Sequence, residues 1–115
     1  MKRALALAAL ILWLLAGCAA ERQNKVTLTL GDDWVSVALE NNTRAVSLHV
    51  ANYTTSAYTA QVRVVSRDHA EVLAAAETVE AGYSADLGPI PAGGYVLQAR
   101  SADGVKRSYT LEYES

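Results

Sequence analysis

The sequence has one cysteine and no phenylalanine, with two prolines and two histidines in 115 residues. A single thiol excludes a disulfide within the chain. The histidines, His49 and His69, lack Cys and His neighbours at the spacing a zinc site needs. Asp68 and Glu71 flank His69 in "SRDHAE", but carboxylates beside one His read as a turn, and no metal is expected. Asp32 and Asp33 follow Gly31 as in a hairpin turn, without the alternating acidic pattern of a calcium loop. No serine sits in a G-x-S-x-G elbow. The glycines of "AGG" at 92–94 open a strand rather than a helix, the wrong setting for a phosphate. The chain therefore reads as a non-enzyme, with no catalytic residue and no cofactor. Nor is there a basic run, which argues against nucleic acid and against an anionic membrane surface as ligand.

Long apolar runs are also missing, with one exception. After Met1-Lys2-Arg3, residues 4–16 read "ALALAALILWLLA" without a charge. A basic start followed by an apolar stretch of this length is the pattern of a secretory signal peptide. It is short for a permanent span, which takes about 20 apolar residues. The sole cysteine follows directly, in Leu15-Ala16-Gly17-Cys18. That stretch resembles the lipobox of bacterial lipoproteins. The resemblance implies cleavage between Gly17 and Cys18, a diacylglycerol on the Cys18 thiol, and a mature chain held in the membrane by its acyl chains. Two or more such chains give stable attachment, at about 0.8 kcal/mol per buried methylene. Ala19, where an Asp would favour the inner membrane, implies sorting to the outer membrane, with the domain facing the periplasm.

Loss of residues 1–17 removes Lys2 and Arg3 and leaves eight basic against twelve acidic residues, a balance of −4. The division expected is a signal peptide over 1–17, a lipidated Cys and tether over 18–24, and one domain over 25–115. The tether "AAERQN", 19–24, reaches only about 20 Å at ~3.3 Å per extended residue, so the domain rides near the headgroups.

From Lys25 the dominant period is two. Val26, Leu28 and Leu30 alternate with threonines. Val35-Val37-Leu39, Val46-Leu48-Val50, Tyr58-Ala60-Val62-Val64, Tyr95-Leu97-Ala99 and Tyr109-Leu111-Tyr113 repeat the pattern. Such alternation predicts half-buried antiparallel strands, and turn-forming clusters separate them at 31–33, 40–43, 53–56, 66–69, 88–94 and 102–104. Residues 69–81, "HAEVLAAAETVEA", have helix-forming composition; strand is the reading adopted, with helix left open. The expected fold is all-β, one antiparallel β-sandwich of 7–8 strands behind a signal-peptide helix.

Two stretches carry a likeness. "VSLHVANYTTSAYTAQVRVVSRD" resembles the B–C hairpin of Ig-like and fibronectin type III-like domains, and "VEAGYSADLGPIPAGGYVLQARSADG" resembles their later half. The likeness implies an Ig-like sandwich and no activity, because that fold hosts many functions. Tyr95, after Pro91 and Gly93-Gly94, resembles the tyrosine of a tyrosine corner, whose hydroxyl bonds back to nearby backbone. "NYTTSAY" at 52–58 faintly resembles the B–C loop of chagasin-like protease inhibitors, Asn-Pro-Thr-Thr-Gly-Tyr, but lacks its Pro and Gly.

A lipid anchor and a sandwich without catalytic groups suggest a binding or scaffold module with an envelope protein as partner. The alternatives are an envelope protease inhibitor and a purely structural assembly protein. Trp34, on the polar side of its strand beside Asp33, is the candidate interface residue, as an exposed aromatic is a natural anchor; its competing role is to cover the rim of the sandwich.

Overall fold

The computed structural model describes residues 23–114. The signal peptide, Gly17, Cys18 and the first part of the tether lie outside the described residues. Eight strands follow in order: β1 (Gln23–Leu30), β2 (Val35–Asn42), β3 (Val46–Asn52), β4 (Ala60–Ser66), β5 (Val72–Val79), β6 (Ser84–Ile90), β7 (Gly93–Ser101) and β8 (Arg107–Glu114). They form two antiparallel four-stranded sheets, β1–β8–β3–β6 and β2–β7–β4–β5. The all-β sandwich is the architecture the alternation predicts. Residues 69–81 hold β5, so the strand reading stands and the helical propensity is overridden. β1 also takes up Gln23 and Asn24, assigned from sequence to the tether.

The strand order refines the Ig-like likeness. In an Ig domain the last strand lies beside the one before it. Here β8 lies between β1 and β3, and β7 between β2 and β4, which is the order of a jelly roll. The 46–66 stretch is accordingly an arch and no hairpin: β3 pairs with β6 and β8, whereas β4 pairs with β5 and β7.

β6 went unread because its residues look like a turn. Gly88 has a φ of 74° and sits where the β3–β6 register shifts, so it forms a bulge inside the strand. The Gly88 N–H donates to Asp86 Oδ1 at 2.7 Å. Pro89 is tolerated because β6 is an edge strand.

Between the sheets the inward positions bury Leu48, Val50, Val62, Val64, Leu97 and Leu111 completely. Each such side chain contributes about 1.5–3 kcal/mol relative to exposure. In the absence of Phe, Tyr95 and Tyr109 are the bulkiest buried side chains. Tyr109 makes a hydroxyl bond of the same backward kind: it donates to the Thr59 carbonyl at 3.2 Å and lies 3.0 Å from Ser101 Oγ. Two buried asparagines close the ends. Asn42 donates to the Arg44 and Pro91 carbonyls. Asn52, fully buried, donates to the Tyr58 and Val79 carbonyls and accepts from the Thr54 N–H, which fixes the 53–59 loop.

The register also gives the domain a direction. β1 runs from Gln23 to Leu30, and the turn after Leu30 delivers Trp34. Trp34 therefore lies at the end of the sandwich remote from Gln23.

Candidate interaction surface

The two sheets expose different outer faces. On the first, the outward residues of β1, β8 and β3 are small or charged: Thr27, Thr29, Ser108, Ser47 and His49 are all exposed. His49 faces Asp86 at 3.9 Å, with both side chains more than half exposed, a pair worth about 0–1 kcal/mol. Burial along β3 alternates cleanly, as expected for a wet face.

On the second sheet the alternation fails. In β7 five consecutive residues, Tyr95 to Ala99, are buried, so both faces of that strand are covered. Val96 and Gln98 point outward from β7 and Val65 from β4, yet they are only 3%, 5% and 3% exposed. Arg63 bonds to Gln98, and Val96 lies in a groove beside Arg67.

Trp34 stacks on the same face. It is half-buried, with the guanidinium carbon of Arg63 (β4) 4.1 Å and that of Arg100 (β7) 4.4 Å from its ring centroid. Each contact is worth roughly 0.5–2 kcal/mol, more where water is excluded. Cross-strand glutamines hold both arginines: Arg63 Nε donates to Gln98 Oε1 at 3.0 Å, and Arg100 Nε to Gln61 Oε1 at 2.7 Å. The pairing of Gln61 with Arg100 and of Arg63 with Gln98 follows from the β4–β7 register. An amide oxygen fixes a guanidinium without neutralising it. Among the described residues no carboxylate lies at ion-pair distance from Arg63, Arg67 or Arg100. The Nη groups of Arg63 and Arg100 have no acceptor there either. Arg107 shows the opposite case: Asp103 takes its Nη1 at 2.8 and 2.9 Å, and its guanidinium stacks on Tyr58.

Towards the other end of the face, Arg67 extends its stem over Gly94, where a Cβ would overlap the Arg67 methylenes. This close approach, more than backbone angle, explains that glycine; Gly93, with φ 126°, supplies the angle. An open groove of about 280 Å³ follows, lined by Ser36, Leu39, Arg67, His69 and Val96 among others. Leu39 is 59% exposed there. His69 holds the left-handed position of the β4–β5 turn, φ 63°. Asp68 folds back to accept from Ser66 Oγ and the Ala70 N–H, which lowers its pKa. The described residues contain no group of three metal-binding side chains.

Sequence alone singled out Trp34 and missed its partners. The absence of a basic run hid a cationic patch that the fold assembles from Arg63, Arg67 and Arg100. The available signal was the Gln and Arg at the outward positions of both "AQVRV" and "VLQAR".

No family model matches the chain, and no match is found among curated proteins. Solved structures share its shape. A subunit of the disulfide-linked pili that form Bacillus endospore appendages has a TM-score of 0.60 at 8% identity, covering 83% of each chain. The mitogen derived from Yersinia pseudotuberculosis gives 0.55 at 12% identity, covering 80% of this chain and 84% of its own. A periplasmic inhibitor of g-type lysozyme from Aeromonas hydrophila gives 0.52 at 17% identity, covering 82% of each. At such identities the likeness establishes the β-sandwich and nothing more.

Proposed function

We propose that the chain is a lipid-anchored binding module of the bacterial cell envelope. Residues 1–17 export it, Cys18 carries the lipid, and the sandwich faces the periplasm from the outer membrane. It engages an envelope protein through the outer face of β2–β7–β4–β5. One observation carries the binding surface: two guanidinium groups, fixed by glutamines and stacked on Trp34, keep Nη donors without an acceptor, and no carboxylate neutralises them among the described residues. Burying such groups on one face only is costly for a chain that needs merely a solvated surface, and a fixed donor array loses little freedom when a partner binds.

The anchor is tested by feeding an alkyne fatty acid to producing cells. The wild-type chain takes the label and stays with membranes, whereas Cys18→Ser loses both; an unlabelled, freely soluble wild-type chain overturns the lipid reading. The binding reading is tested by crosslinking in intact cells and mass spectrometry of what is attached. One dominant envelope protein supports it, and no specific partner overturns it.

A second reading, a protease inhibitor, draws support from the 53–59 loop. Asn52 holds that loop rigid while Thr55, Ser56 and Ala57 remain exposed at the end remote from Gln23. A protease as the crosslinked partner, bound through this loop, would favour it.

A further inference from the structure

The binding reading leaves the chemistry of the partner open, and the second outer face specifies it. We propose that the occupant is an acidic, extended segment of a protein, with carboxylates on the Arg63–Arg100 pair and on Arg67, and an apolar side chain in the groove beside Leu39. The inference rests on the binding-module reading and adds what is bound, and where.

Charge complementarity is the first ground. A guanidinium held at Nε presents its remaining donors as a planar fork, which matches a carboxylate in two parallel bonds. Two such forks lie against one aromatic ring, and a third arginine stands across the groove. The spacing is the second ground. Arg100 and Gly94, over which Arg67 lies, are six residues apart on β7, about 20 Å along a strand, and Val96 beside Leu39 falls between them. An extended segment of about seven residues covers that distance, with acidic positions at its ends and an apolar one between.

Lipid headgroups also carry anions, but the geometry disfavours them. Trp34, Arg63 and Arg100 lie at the end remote from Gln23, and only Arg67 lies towards the end that an anchor at Cys18 draws to the bilayer. The processed chain is also net negative, which repels an anionic surface beyond the patch itself.

The test places a photo-crosslinking side chain at Ser36 or Leu39 on the second outer face, and at Thr29 or Ser108 on the first, in the full chain expressed in its own cells. The expected result is a protein adduct from Ser36 and Leu39 only, mapped by mass spectrometry to an acidic segment of the partner. It should fall at least tenfold when Arg63→Glu and Arg100→Glu are combined, and Arg63→Lys with Arg100→Lys should retain part of it. Circular dichroism melting of each variant separates loss of contact from loss of fold. A lipid adduct, a neutral or basic partner segment, or an adduct indifferent to charge reversal overturns the inference. Adducts from Thr29 or Ser108 instead would leave an envelope partner standing, move it off the Trp34 face and sink this inference. No adduct from any position would sink both.

Discussion

The outer faces of the two sheets start from the same kind of strand and end differently. On β1–β8–β3–β6, the outward threonines, serines and His49 stand in water, and burial alternates. On β2–β7–β4–β5, the outward valines and Gln98 are buried, and Trp34 stacks with two arginines on the same face. The first face needs only to stay wet. The second has been built into a partial layer of fixed cations, and ordering long side chains costs entropy that a solvated surface need not spend. Under the proposed binding reading, that contrast puts the partner on the second face.

The largest effect should come from neither face. Asn52→Ala strands the Tyr58 and Val79 carbonyls in the interior, at a cost of about 2–3 kcal/mol. Chemical denaturation should show it as a lowered midpoint with an unchanged slope. Trp34→Ala should cost about 1–2 kcal/mol, from two lost ring contacts, and reduce partner capture at least tenfold. A stability loss with capture intact would make Trp34 a rim cover and collapse the contrast. Tyr109→Phe should cost about 1 kcal/mol through its bonds to Thr59 and Ser101, without touching capture.

A pH series sharpens the contrast between arginines. Ser101 Oγ, then Arg107 and the Val105 N–H, hold Asp103 at about 2 against an ordinary 3.8. A depressed carboxylate contributes stability above pH 3.8 and loses it as pH falls through about 2. Asp103→Asn should therefore melt lower than wild type near neutral pH, with the gap closing towards pH 2. Arg63 and Arg100, bound by neutral amides, should give no such acid-dependent gap when replaced by Gln. The smallest effect belongs to the wet face: His49→Ala should change stability by less than about 0.5 kcal/mol.

Period-two alternation made most strands and the core legible, because Val, Leu and Tyr at every second position have only one face to bury. It failed where a strand carries turn residues: β6 absorbs Gly88 and Pro89 through a bulge at a sheet edge. It also failed on connectivity, because the arch from β3 to β4 and an Ig-like B–C connection share the same local pattern. Only long-range pairing of β8 with β1 and β3 distinguishes the jelly roll. At the surface Trp34 was visible as an aromatic on a polar side. Arg63 and Arg100 were not, since 37 residues separate them in sequence and only the β4–β7 register brings them together.

The most direct test compares capture of the envelope partner in cells by two variants of equal fold, Arg63→Gln/Arg100→Gln on the second face and Thr27→Gln/Ser108→Gln on the first. Loss of the partner at least tenfold in the first variant, with wild-type recovery in the second, is the result expected of a binding module that uses the Trp34 face. Wild-type recovery in the first variant, or loss in the second alone, would contradict it.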